Sequence, residues 1–340
     1  MEARKKKQKS VTNNSLVSND FFPKGIEINT KKIFPMLVMA TMSSGKSTLI
    51  NALLGQEILP NENKACTAKV YSILDDDHNT KLRIYITDTS GDTVIKEENL
   101  AEELDKANND DSVSEILICG QIKGVLNTDK ALMIVDTPGP NNARDLSHEE
   151  NMLNVLGKIN GGLILYVMNA TQMGINDDKY LLSILNKYMK DHKKANVVFV
   201  INKVDQVDIE YESIEKIVMS TKAYLIDNGF DTPTIIPISA LAANILKKVL
   251  NENELTRKEY RDFTYYYDLY GTKDFNMKSY AITEEYPDPF KKISVKDKIL
   301  EVGNLIQAIE NTGIKLLEDH IQKLQILSSA RLRNSIRIKK

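Results

Sequence analysis

The chain has 340 residues, enough to bury one large core or two modest ones. With 42% apolar and 27% charged residues it has a globular balance, and no apolar run approaches the roughly 18 residues that span a bilayer. Formal net charge is −2; without the basic ends "MEARKKKQK" and "RLRNSIRIKK" (331–340), 35 basic residues face 46 acidic ones, which argues against a nucleic-acid partner.

Residues 1–30 are polar and rich in Asn, Ser and Lys, and read as a flexible basic lead-in. The basic ends are either solvated termini or segments drawn to an anionic membrane surface. No apolar stretch follows the N-terminal charges, so no secretory leader is expected. Cys66 and Cys119 cannot build a disulfide framework, which points to a reducing cytoplasm, with peripheral attachment to the inner face of the membrane as an option.

"IFPMLVM" (33–39) reads as a strand, and "GKSTLINALLG" (45–55) as a helix ending at Gly55. "KVYSIL" (69–74) and "KLRIYIT" (81–87) flank the polar turn "DDDHNT" and read as a hairpin. "ALMIVD" (131–136), "LILYVM" (163–168), "NVVFVI" (196–201) and "TIIPIS" (234–239) are further strands, with helical stretches near 146–158, 176–190 and 211–228. Such alternation means parallel strands joined by crossovers, so residues 31–250 are expected to form an α/β domain with a mostly parallel, doubly wound sheet. Ligands in such sheets bind beyond the carboxyl ends of the strands.

Residues 251–292 break the rhythm. "EYRDFTYYYDLYG" holds five tyrosines and Phe263, and reads as an aromatic-rich helical insert that either packs on the sheet domain or meets a protein partner. "ISVKDKILEVGNLIQAIE" (293–310) looks helical throughout. After "NTG" a further helix begins, with Ile314, Leu317, Ile321 and Leu324 on one face, a stripe that needs a partner helix in this chain or another.

"ATMSSGKSTLINALLG" (40–55) nearly spells the phosphate-cradling loop G-x-x-x-x-G-K-[ST], with Ala40 at the first glycine. It follows a strand and opens a helix, as a phosphate site requires. Thr41, Met42, Ser43, Ser44, Gly45, Lys46, Ser47 and Thr48 would surround the phosphates, Lys46 reaching the β/γ-phosphates and the Ser47 hydroxyl reaching Mg2+. Two aspartates could serve the metal and γ-phosphate: Asp88 of "DTSG" and Asp136 of "DTPG". Asp136 ends the more apolar strand and is preferred, acting on the metal through water, with Gly139 offering a backbone donor; Asp88 is then a turn residue.

"INKVD" (201–205) decides the base. A carboxylate at Asp205 can accept both the N1–H and the amino group of guanine, a donor pair that adenine lacks. Asn202 would tie this loop to the phosphate loop and the Lys203 stem would lie over the base. In "ISA" (238–240) the backbone at Ser239 and Ala240 would face the guanine oxygen. The triple occurrence, in this order and after these strands, is far more specific than any one motif.

With "ATMSSGKSTLINALLGQEILPNENKACTA", "IVDTPGPNNAR", "MNATQ" and "INKVDQVD", the chain resembles the GTPase domain of dynamin-like proteins, the bacterial ones especially, over roughly residues 33–245. The resemblance implies GTP and GDP as ligands, Mg2+, and hydrolysis of GTP. It makes Thr67 the switch threonine, contributing to the metal and to the attacking water, and puts Asp208 near the ribose and base. It also implies a homodimer, or a paired dynamin-like partner, across the nucleotide face, and action at membranes. "ENTGIKLLEDHI" resembles the last helix of such domains, so 293–340 would hold that helix and the start of a neck bundle. One departure matters: Met42 stands where relatives often carry a water-orienting glutamine, and a thioether cannot orient water. A low basal rate follows, and with it an alternative function: a slow or non-hydrolysing GTP-dependent switch or scaffold that recruits a protein partner.

Overall fold

The structure, a computed structural model, describes residues 15–23, 26, 28–41, 43–59, 70–76, 81–122, 124–125, 129–136, 146–172, 176–192, 195–207, 213–271, 292–295 and 298–337. Among them, nine strands form one mixed sheet: β1 (Ile33–Ala40), β2 (Val70–Asp75), β3 (Arg83–Asp88), β4 (Thr93–Lys96), β5 (Val113–Gly120), β6 (Ala131–Asp136), β7 (Gly162–Asn169), β8 (Ala195–Asn202) and β9 (Thr234–Pro237). Their spatial order is β4-β3-β5-β2-β6-β1-β7-β8-β9. β1 runs parallel to both neighbours, β6 and β7, and parallel pairing continues through β8 to β9. Later strands thus lie on both sides of β1, which puts the switch of strand order, and the ligand crevice it creates, at the carboxyl end of β1.

The hairpin expected from residues 69–87 does not form. β5 lies between β2 and β3, parallel to β2 and antiparallel to β3. β3 pairs instead with β4, and α2 (Leu100–Asn109) carries the chain back to β5. The reason is burial on both faces: Tyr71 and Ile73 enter one core while Val70 and Leu74 pack on the other, so β2 needs a ladder on each edge, and the apolar "VSEILICG" of β5 supplies the second.

β1 divides the cores by the period of two that a strand imposes. Phe34, Met36 and Val38 pack beneath α1 (Lys46–Leu54), α6 (Ala240–Leu250), α7 (Arg257–Tyr270), α8 (Val302–Asn311) and α9 (Ile314–Arg337). Ile33, Leu37 and Met39 face α3 (Leu146–Lys158) and α4 (Asn176–Asp191); α5 (Ile214–Asp227) adds Leu225. Part of the expected lead-in joins this second face: Val17 bridges Ile159, and Phe21 and Phe22 are buried. Residues 1–14 lie outside the described residues.

Residues 293–310 also differ from expectation. β10 (Lys292–Val295) and β11 (Lys298–Glu301) pair antiparallel, and only from Val302 does α8 begin. Ile293, Val295 and Ile299 are β-branched, and their stiff side chains favour the extended backbone. The stripe on α9 finds its partner within the chain: Ile314, Leu317 and Ile321 are fully buried in the first core. Cys119 is buried, which pushes its thiol up to about 12 and leaves it inert. No described helix is long and apolar enough to cross a membrane.

Candidate nucleotide site

The loop after β1 turns through two left-handed residues, Ser43 (φ 59°) and Gly45 (φ 82°). The Ser44 hydroxyl donates to the Thr41 carbonyl at 2.9 Å and closes the turn. Gly45 is the N-cap of α1 and has no side chain to bond the first amides of that helix. A Cβ on Gly45 would strike the amide of Asn202, and the Lys203 stem passes 3.7 Å from the same point. Glycine is therefore demanded twice, by backbone conformation and by close approach.

Asn202, at the end of β8, is buried and uses both ends of its amide. Its Nδ2 donates to the Ser44 carbonyl at 2.8 Å, and its Oδ1 accepts from the Ala240 N–H at 3.0 Å. Lys46 Nζ forms an ion pair with Asp136, which ends β6 and is 7% exposed. Burial pushes the Asp136 carboxyl above the usual carboxylate range, and the Lys46 charge opposes that. Ser47 and Thr48 follow in the first turn of α1.

The residues fit Mg2+ in the manner of a nucleotide-borne ion. Among the described residues no cluster of three or more His, Cys, Asp or Glu side chains could hold a metal by itself. What the surroundings offer includes the Ser47 hydroxyl in the first turn of α1 and the Asp136 carboxylate at the end of β6. Mg2+ is commonly held by one or two protein ligands, waters and substrate phosphates.

Beyond the end of β8, Asp205 sits in a short 3-10 turn (Val204–Gln206) after the left-handed Lys203 (φ 66°). Its Oδ2 accepts a hydrogen bond from the Tyr266 hydroxyl of α7 at 3.1 Å. The Ser239 and Ala240 amides are both engaged inside the chain: Ser239 N–H donates to the Thr312 carbonyl at 3.0 Å, and Ala240 N–H to Asn202. Ser239 also caps α6 by accepting from the Ala242 N–H at 3.3 Å. The expected approach of the Ser239 and Ala240 backbone to a guanine oxygen must therefore compete with these bonds.

Residues 36–204 match the model of the dynamin family. This part of the chain is a GTPase domain of the dynamin superfamily. A bacterial dynamin-like protein of Nostoc punctiforme is 30% identical over 193 residues, which cover 52% of this chain and 25% of that protein. The chain thus spans about a quarter of that relative's length. Two structures of an oligomerised bacterial dynamin pair, described as sensing and tethering membranes at long range, align over 90% of this chain. They share 17% identity, cover 44% and 42% of those chains, and have TM-scores of 0.49 and 0.48. An Era variant of Aquifex aeolicus bound to GDP and AlF4− aligns over 66% of this chain and 58% of its own, with 18% identity and a TM-score of 0.36.

Within the dynamin-type domain the structure brings together Thr41, Ser43, Ser44, Gly45, Lys46, Ser47, Thr48, Asp136, Asn202, Lys203 and Ala240 around one loop, with Asp205 and Ser239 beside them. Met42, Thr67, Gly139 and Asp208 lie outside the described residues. Asp88 is set apart in the β3–β4 turn, where its carboxylate accepts from the Ser90 and Asp92 amides at 2.8 and 2.9 Å. Two residues bonded to this region escaped the sequence reading. One is Tyr266. The other is Asn51, buried on α1, which holds the segment leading toward Thr67: it donates to the Leu59 carbonyl at 2.8 Å and accepts from the Ile58 and Leu59 amides at 3.0 and 2.9 Å. A polar residue amid the apolar run "LINALL" was the available signal for Asn51.

Proposed function

We propose that the chain binds GTP and GDP with Mg2+ and hydrolyses GTP to GDP and phosphate. The observation that carries the reading is the Asn202 amide, which joins the phosphate loop, through Ser44, to the loop that bears Asp205. Phosphates and base then share one rigid frame. Lys46 leaves Asp136 for the β/γ-phosphates, and the first amides of α1 meet the same anion. Ser47 and Thr67 would hold Mg2+, and Asp136 would act on it through water. When bound, Mg2+ would supply positive charge against the phosphates. Gly139 donates its N–H to the γ-phosphate. Asp205 accepts from guanine, with Lys203 over the base and Asp208 beside it.

In this reading residues 31–250 form the GTPase unit, 251–292 its aromatic-rich helical insert, and 293–340 its last helix and a neck-like helix. Hydrolysis is slow in isolation because Met42 cannot orient water, and quickens when two copies pair across the nucleotide face. The basic ends favour an anionic membrane surface on the cytoplasmic side. Met42 also supports the second reading, a switch that holds GTP and recruits a protein partner.

Calorimetry with GTP, GDP and ATP, each with and without Mg2+, tests the core: binding of both guanine nucleotides, strengthened by Mg2+ for GTP, and negligible ATP binding. Equal ATP affinity would overturn it. Co-sedimentation with vesicles of phosphatidylserine against phosphatidylcholine tests the membrane reading.

A further inference from the structure

The geometry points to Tyr266 as the positioning residue that orients Asp205 toward the two N–H donors of guanine, making α7 a specificity element of the nucleotide site. The inference rests on the reading of Asp205 as the guanine acceptor.

Tyr266 lies on the buried face of α7 with Phe263 and Tyr270, at spacings of three and four. Its hydroxyl reaches Asp205 Oδ2 at 3.1 Å, and among the described residues this is the one hydrogen bond to that carboxylate. Asp205 stands in a three-residue turn, so its own backbone does little to hold its second torsion. A carboxylate oxygen has two acceptor positions, so Oδ2 can keep the phenol and still receive one N–H of a ligand. Burial and the neighbouring Asp205 charge both push the Tyr266 phenol up, so it remains a donor.

The helix that presents Tyr266 is itself held in place. A capping box of Thr256 and Glu259 starts α7, and Glu259 is bonded to Lys248 of α6 at 2.5 Å. At the other end, Asn311 Nδ2 donates to the Tyr270 carbonyl at 2.7 Å, while the next residue, Thr312, accepts from the Ser239 N–H at 3.0 Å. The end of α7 and the start of α6 therefore hang on two consecutive residues, one each. Tyr266 is placed against the base loop by a frame independent of any ligand. A carboxylate already aimed loses less freedom when it meets two donors at once.

Inosine lacks the exocyclic amine of guanine, so the ratio of GDP to IDP affinity measures the two-point contact. The full chain carrying Tyr266→Phe keeps the ring and its packing. Calorimetry with Mg2+-GDP and Mg2+-IDP should show the GDP/IDP ratio falling about three- to tenfold, the scale of one misaligned hydrogen bond, with IDP affinity and the unfolding midpoint little changed. An unchanged ratio, or an equal loss for both nucleotides, overturns the role of Tyr266. Asp205→Asn in parallel separates the two claims. If that variant turns from GDP toward XDP while Tyr266→Phe keeps its ratio, only the tyrosine inference fails; if it keeps the GDP preference, Asp205 is not the base reader.

Discussion

Asn202 Nδ2 and the Ser44 carbonyl are 2.8 Å apart across 158 residues of sequence, and the same amide accepts from Ala240 at 3.0 Å. Only a side chain with both a donor and an acceptor can serve both ends. Asn202→Asp keeps the Ala240 bond but turns an oxygen toward the Ser44 carbonyl. A lost buried bond of this kind costs about 1–3 kcal/mol, so GDP affinity should fall about ten- to hundredfold by calorimetry. Undiminished affinity would mean that the cross-link does not order the phosphate loop.

The Lys46–Asp136 pair sets a pH-dependent outcome. In Lys46→Ala the buried Asp136 loses the charge that opposes its desolvation, so its raised carboxyl rises further. A group protonated more readily in the folded than in the unfolded state adds stability at low pH, and that stability is lost as pH rises through its folded value. Urea unfolding without nucleotide should show the variant less stable than the parent by about 1–3 kcal/mol near pH 8, with the gap narrowing toward pH 5. A gap independent of pH would argue against the ion pair. GDP binding should vanish at either pH.

Lys247 and Glu318 form a second buried pair, which joins α6 to α9; Lys247 also donates to the Ala52 carbonyl of α1 at 2.7 Å. Burial pushes the Glu318 carboxyl up, against the pull of Lys247 and of Lys315, 3.9 Å away. Lys247→Met leaves the acid only the more distant Lys315, a change that should cost up to about the 3–5 kcal/mol of a fully buried pair. The double variant Lys247→Met, Glu318→Leu should recover most of the loss in thermal or urea unfolding. Additive losses would show that the two residues are not coupled.

Hydrolysis tests the pairing of two copies. One preorganised polar contact is worth about 10²–10³ in rate, so closing the site against a second copy should recover a similar factor. Phosphate release per molecule should therefore rise with protein concentration, and Thr67→Ala should abolish most of it while sparing GDP binding. Met42→Gln should raise the basal rate. A rate per molecule that stays flat while light scattering reports a monomer would sink the pairing.

The sequence by itself determined what resides in contiguous stretches. A strand end, a turn and a helix start all lie within "ATMSSGKST", so that stretch carries its own local geometry at its described residues, and "INKVD" likewise carries its strand, its left-handed lysine and its carboxylate. Tertiary structure decided what depends on partners far apart in the chain. The turn "DDDHNT" promised a hairpin, yet β5 entered between its arms because a doubly buried strand seeks two ladders, whatever its neighbour in sequence. Tyr266 meets Asp205 over 61 residues, and Lys247 meets Glu318 over 71. Helical spacing marks which face of α7 or α9 is buried, but not what lies opposite. That is set by the free energy of packing the whole sheet, to which every strand and helix contributes at once.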